Sequence, residues 1–257
     1  MVFDVRGKRR GVVKVVYAIL AVLMGLSLFL LGAGGSLNSL FGSNSTTSAN
    51  VHFEEQAERI EFKLKKEPED ADLLAALTKA RINAGNGAVE ANSAGQTAVT
   101  PESIQQYQLA SEAWSEYLEA TKEPNPNVAL VVAPMFVTLA ESNPSTEFKT
   151  NITAAAEAQE IVAAQRPTLN SLSTLAIFQY FTFDYAKAKK TEEKALALAS
   201  SKSERETIEK QLKPYEERAR KAEKQLKEAE VAQKQGAEAT QKSGANPLSL
   251  GGASLGE

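Results

Sequence analysis

Between Val12 and Leu31 the chain reads VVKVVYAILAVLMGLSLFLL, twenty residues with one charge, Lys14, near its start. As a helix this run spans roughly 30 Å, the thickness of a bilayer's hydrocarbon core. Lys14 is placed to snorkel to the headgroups, and Tyr17 falls where amphipathic rings favour the interface. Flanking charge sets the orientation. Arg6, Lys8, Arg9, Arg10 and Lys14 against Asp4 give the first 14 residues +4, whereas residues 32–53 carry no formal charge. The positive-inside rule keeps the N-terminus in the cytoplasm and exports the chain beyond Leu31. A cleaved signal peptide is the competing reading, with Gly32, Ala33, Gly34 and Gly35 as its small residues. The apolar run is longer than the roughly 7–15 residues of a signal core, so an uncleaved anchor is expected.

The remaining 243 residues carry −7 of the total charge of −3, which argues against nucleic acid as the partner of the main domain. The 257-residue chain has no cysteine, which excludes disulfides, a cysteine-bearing zinc site, a thiol nucleophile and lipoprotein processing. His52 is the only histidine and has no ligand-like spacing around it. No GxSxG and no glycine loop joined to a strand occurs, so neither an enzyme nor a metal or cofactor site is expected. Asn44-Ser45-Thr46 and Asn151-Ile152-Thr153 match the glycosylation acceptor pattern and carry little weight in a bacterial-looking chain.

The boundaries come from composition. Residues 1–11 form a basic cytoplasmic end and 12–34 the transmembrane helix. Residues 35–50, GSLNSLFGSNSTTSAN, have the composition of a flexible tether with a root-mean-square reach of roughly 20–24 Å. From residue 51 to 200 the apolar spacing is helical. Phe53, Ala57, Ile60 and Leu64 mark a helix stopped by Pro68, and Leu73, Leu74, Leu77, Ala80 and Ile82 a second closed by Gly85-Asn86-Gly87. Residues 86–100 read as a loop. Thr100-Pro101-Glu102-Ser103 starts the next helix, with Tyr107, Ala110, Trp114 and Tyr117 on its apolar face. Further helices are expected over Val128–Ala140 (with Pro134 as a kink or first turn), Ile152–Gln165, Leu169–Phe183 and Tyr185–Ala199. No strand alternation is evident. The expected fold is all-α, an array of antiparallel helical hairpins.

Asp184-Tyr185-x-x-Ala188-x-x-x-Glu192-x-x-Ala195-Leu196 resembles the second helix of a tetratricopeptide repeat, with Leu172, Leu175 and Ala176 at the packing positions of its first helix. A second unit pairs Leu74, Leu77, Thr78 and Arg81 with Tyr107, Ala110, Trp114 and Tyr117. A degraded third pairs Val132, Met135 and Phe136 with Ala155, Gln159 and Val162. The resemblance implies a solenoid in which small residues admit close helix approach and no hairpin buries its face alone; a generic alanine-rich bundle is the alternative. It also implies a peptide-binding groove along the first helices, whose residues by register are Asp72, Lys79, Asn170, Ser173, Ile177 and Tyr180. The aromatics of Phe178-Gln179-Tyr180-Phe181-Thr182-Phe183 exceed what a two-sided helix can hide, which favours a contact surface; Ile177 and Tyr180 as plain core is the other reading.

Residues 201–235 form a long charged helix. Ile208, Leu212, Tyr215, Ala219, Ala222, Leu226 and Ala229 make a heptad stripe, flanked by acid-first i,i+4 pairs such as Glu216–Arg220 and Glu223–Lys227. Its first half is expected to cap the last hairpin and its second half to project or dimerise, with a kink at Pro214. Residues 236–257 read as a disordered tail, in which Leu248, Leu250 and Leu255 are a candidate docking motif. Anchor, neutral linker and exported helical-repeat domain together resemble the membrane-anchored ancillary tetratricopeptide subunit of the bacterial Sec translocon, from which the long C-terminal helix departs. The expectation is a single-pass protein of the bacterial cytoplasmic membrane, main domain outside. It would act as an adaptor that binds secreted or envelope proteins; an oligomeric spacer built on residues 203–235 is the alternative.

Overall fold

In the computed structural model, residues 48–91, 97–142 and 147–243 are described. Residues 1–47, with the expected membrane anchor over 12–34 and most of the expected linker, and residues 244–257, with Leu248, Leu250 and Leu255, lie outside them. Among the described residues no helix is long and apolar enough to cross a membrane. The described chain is helical, with eight helices: α1 (Ser48–Leu64), α2 (Ala71–Gly87), α3 (Pro101–Ala120), α4 (Pro126–Ser142), α5 (Phe148–Gln165), α6 (Leu169–Phe181), α7 (Tyr185–Ala197) and α8 (Lys202–Ser243).

Local chemistry sets most of the boundaries. Asp70 caps α2 by accepting from the Leu73 amide at 3.0 Å, and Thr100 caps α3 by accepting from Ser103, with Pro101 in the first turn. Thr168 and Ser171 form a reciprocal capping box at the start of α6. Asp184 caps α7, shortly after α6 ends its last turn. The turn between α6 and α7 is tight enough that Phe183 takes a left-handed φ of 68°, a conformation that costs a residue with a β-carbon of order 1 kcal/mol or more.

Four boundaries differ from the sequence expectation. Gly85 lies inside α2 instead of closing it. The segment read as a plain loop contains a two-residue antiparallel ladder, β1 (Glu90–Ala91) with β2 (Thr97–Ala98), pairing Glu90 with Ala98 and Ala91 with Thr97. The first turn of α1 starts at Ser48, within the expected linker. Finally, α8 runs unbroken through Pro214 to Ser243, so the residues from 236 to 243 are helical. The Gln-, Lys-, Ala- and Glu-rich sequence there favours helix, and Gly236 opposes it by only about 1 kcal/mol.

Packing proceeds along the chain. The hairpins α2/α3, α4/α5 and α6/α7 each pack internally, α1 lies on α2, and α2 also packs on α4. Pro134 sits within α4, whose buried residues include Val128, Ala129, Val132, Phe136 and Leu139. One contiguous core runs from Leu74 on α2 to Ala219 on α8, and two small clusters stand apart from it: Ala57, Ile60, Leu77, Ala80 and Ala113 under α1, and Ala163, Leu172, Leu175 and Ala195 among α5, α6 and α7. At the far end α8 lies on both α6 and α7. Its heptad stripe is the docking face: Ile208, Leu212, Tyr215, Ala219 and Ala222 are buried and Leu226 packs against the core.

Candidate functional site

α6 is the most enclosed element. Every residue from Ser171 to Phe181 is buried, because α5, α7 and α8 all pack against it. This overturns the reading of its aromatics as an exposed contact surface: Phe178, Tyr180 and Phe181 are within 1 % of full burial, and Phe183 is half-buried. A helix with no polar face needs a third neighbour, and α8 supplies it from further along the chain.

The six groove candidates therefore divide. Asp72 and Lys79 on α2 and Asn170 on α6 are exposed. Ser173, Ile177 and Tyr180 are buried, Ile177 and Tyr180 completely, and offer no surface to a partner. Nor do the exposed ones converge, since α2 and α6 are not in contact.

Tyr180 instead begins a polar chain that runs outward to α8. Its hydroxyl donates to the Glu192 carboxylate, which is itself buried on α7. Lys189 donates to Glu192 at 3.0 Å and to Glu216 of α8 at 2.8 Å, and lies 5.6 Å from the centre of the Tyr180 ring. Arg220 pairs with Glu216 at 2.9 Å while its guanidinium stands 4.1 Å from the Tyr185 ring centre. The Tyr185 hydroxyl donates to Glu223 at 2.9 Å, and Glu223 takes Lys227 at 2.6 Å.

The electrostatics reflect this order. Burial pushes the Tyr180 phenol well above its ordinary value, and the hydrogen bond to Glu192 pushes it further. Burial opposes the charge on Lys189, but its bonds to Glu216 and Glu192 outweigh that and hold the ammonium protonated. The Lys189 hydrogen bond keeps Glu216 below the usual carboxylate range, and Lys227 and Tyr185 do the same for Glu223. Each acid faces a cation or a hydroxyl. The chain locks α8 onto α7; it presents no free nucleophile beside a base.

No protein-family model, curated protein or solved structure matches this chain. Among the described residues, no group of three or more His, Cys, Asp or Glu is placed to hold a metal ion.

A second polar group lies at the opposite end. Arg81 on α2 is buried, with Nη1 donating to Gln106 of α3 at 3.0 Å and Nη2 to Glu61 of α1. Gln106 passes the link back to Glu54 of α1 at 3.0 Å. The Arg81 Nε is buried without a partner. Sequence reading placed Arg81 only as a packing position of a repeat; its partners stand 20 and 25 residues away, beyond any local spacing rule. Asn151, the acceptor of the second glycosylation pattern, is buried in α5 and closed to a modifying enzyme in the folded chain.

Proposed function

We propose that this chain is a membrane-anchored, extracytoplasmic scaffold for protein partners, built as a solenoid of tetratricopeptide-like hairpins. In this reading it serves secreted or envelope proteins near the translocon of the bacterial cytoplasmic membrane, with its N-terminus inside. The observation that carries it is the use made of α8. Its apolar stripe is spent within the same molecule on α6 and α7, where the first helix of one more hairpin would stack, which is how terminal helices close a solenoid. Two contacts fit the same scheme. α2 packs on α4 as successive first helices do, although α4 and α6 make no close backbone contact, and Ala188 and Ala195 are fully buried where α7 closes on its neighbours.

The spacer reading draws on the length of α8, 42 residues or roughly 63 Å, of which the part beyond Leu226 reaches past the packed stripe. It is weakened because the stripe it needs for self-association is already covered.

In-cell crosslinking tests the two against each other. A photoreactive residue at exposed Lys79, and separately at Asn170, is expected to capture secreted chains or translocon subunits. Capture of only the protein itself would favour the spacer, and failure to capture any partner from either position would remove the basis of the scaffold reading.

A further inference from the structure

The two ends of the helical array are held in different ways. At the C-terminal end, α8 contributes Ile208, Leu212 and Tyr215 to the main core, with Ala219 and Ala222 behind them. At the N-terminal end, α1 buries Ala57 and Ile60 in a satellite cluster with Leu77, Ala80 and Ala113, and only Leu64, half-buried, touches the main core as well. The backbone of α1 runs beside α2 alone. Its outer face carries Glu55, Arg59 and Phe62, the last 62 % exposed.

What α1 lacks in apolar contact is supplied by charge. Glu61 closes over the Arg81 guanidinium and Glu54 holds Gln106, so two carboxylates of α1 clamp a buried cation and its amide partner. Arg81 still has its Nε without a partner beneath α1, whereas the Glu61 side chain is 41 % exposed. Lifting α1 would therefore return a buried guanidinium to water and uncover the small satellite cluster, while the main core loses only its contact with Leu64. An element with few buried apolar contacts, held by polar links at its edge, is the kind that opens below the global unfolding free energy.

We propose that α1 is a strap that opens and closes as a unit on the α2–α3 face, with the Glu61–Arg81 pair as its pin. The open state exposes Leu73, Leu77, Ala80 and Ala113 together with Arg81, while α2 to α8 remain folded. The strap does not depend on whether the residues before it span a membrane, so it stands or falls apart from the scaffold reading.

Hydrogen exchange on the full-length chain, read by mass spectrometry, tests it. Amides of residues 52–64 are expected to be less protected than those of α4 and α6 by on the order of 100-fold. Glu61→Gln leaves Arg81 without its counter-charge when α1 is closed, and is expected to speed α1 exchange a further tenfold or so, with α4 to α7 unchanged. Adding Arg81→Met to Glu61→Gln removes the stranded charge and is expected to slow α1 exchange again. Exchange of α1 in step with α4 and α6 would overturn the strap. Glu61→Gln accelerating every helix alike, or leaving α1 unaltered, would overturn the pin.

Discussion

Tyr107 fills the space that a β-carbon on Gly85 would need: a Cβ built there stands 2.4 Å from Tyr107 Cε1. The ring cannot swing away freely, because its hydroxyl donates to Asn86 at 2.7 Å and its environment is buried. Gly85→Ala should therefore destabilise the domain by about 1–3 kcal/mol, the usual cost of overpacking, despite alanine's better helix propensity. A lowered urea midpoint with unchanged slope would confirm it. A gain in stability would mean that α2 and α3 can separate at this crossing.

Removing α8 should be far more damaging than trimming it. Ile208, Leu212 and Tyr215 together contribute on the order of 5–9 kcal/mol of apolar burial, comparable with the whole stability of an ordinary domain. A chain ending at residue 201 should lose cooperative thermal unfolding and bind hydrophobic dyes through uncovered α6. A chain ending at residue 230, which keeps every stripe residue described as packed, should melt like the full-length protein.

Lys189 is shared by the buried Glu192 and by Glu216 across the α7–α8 interface. Lys189→Met keeps the aliphatic stem and leaves Glu192 with the Tyr180 hydroxyl alone. Allowing for the partial exposure of Lys189, the loss should be about 1–3 kcal/mol. Adding Glu192→Gln should recover part of it, because the buried group is then neutral. Strict additivity of the two substitutions in denaturant melts would show that the pair is not coupled.

Glu141 gives the pH dependence its direction. Burial raises its pKa to about 7, well above the ordinary carboxylate value of 4.5. Between those values the folded chain keeps a proton that the unfolded chain releases, so stability is fully present below 4.5 and falls as pH rises toward 7. The whole effect is on the order of 3 kcal/mol. Glu216 and Glu223, held low by their cation and hydroxyl partners, act oppositely: their contribution is present above the ordinary carboxylate value and is lost on further acidification. Melting temperature should thus fall from mildly acidic to neutral pH, and Glu141→Gln should flatten that fall.

Periodic features were legible in the sequence. The spacing from Ile208 to Leu226 named the docking face of α8, and the expected helix starts at Thr100-Pro101 and at Tyr185 are where the structure places them. Features that depend on a distant neighbour were not. Nothing within α6 tells that Tyr180 is covered, since its cover lies on α7 and α8, and the link from Tyr185 to Glu223 spans 38 residues. Gly85 looked like a helix terminator because the commonest use of glycine is a turn; its actual use, admitting Tyr107, depends on a residue 22 positions away. The groove residues failed at Ser173, Ile177 and Tyr180 for the same reason, as register fixes a face and only tertiary packing decides whether that face is open.

The small cluster beneath α1 also has a mechanical meaning. A pull arriving from the N-terminal side loads Ala57 and Ile60 before it reaches the main core. Peeled away and drawn straight, the 17 residues of α1 lengthen from roughly 25 Å to somewhat under 60 Å. The helix is then a fuse, yielding some 30 Å of slack before the pull acts on the chain beyond Leu64.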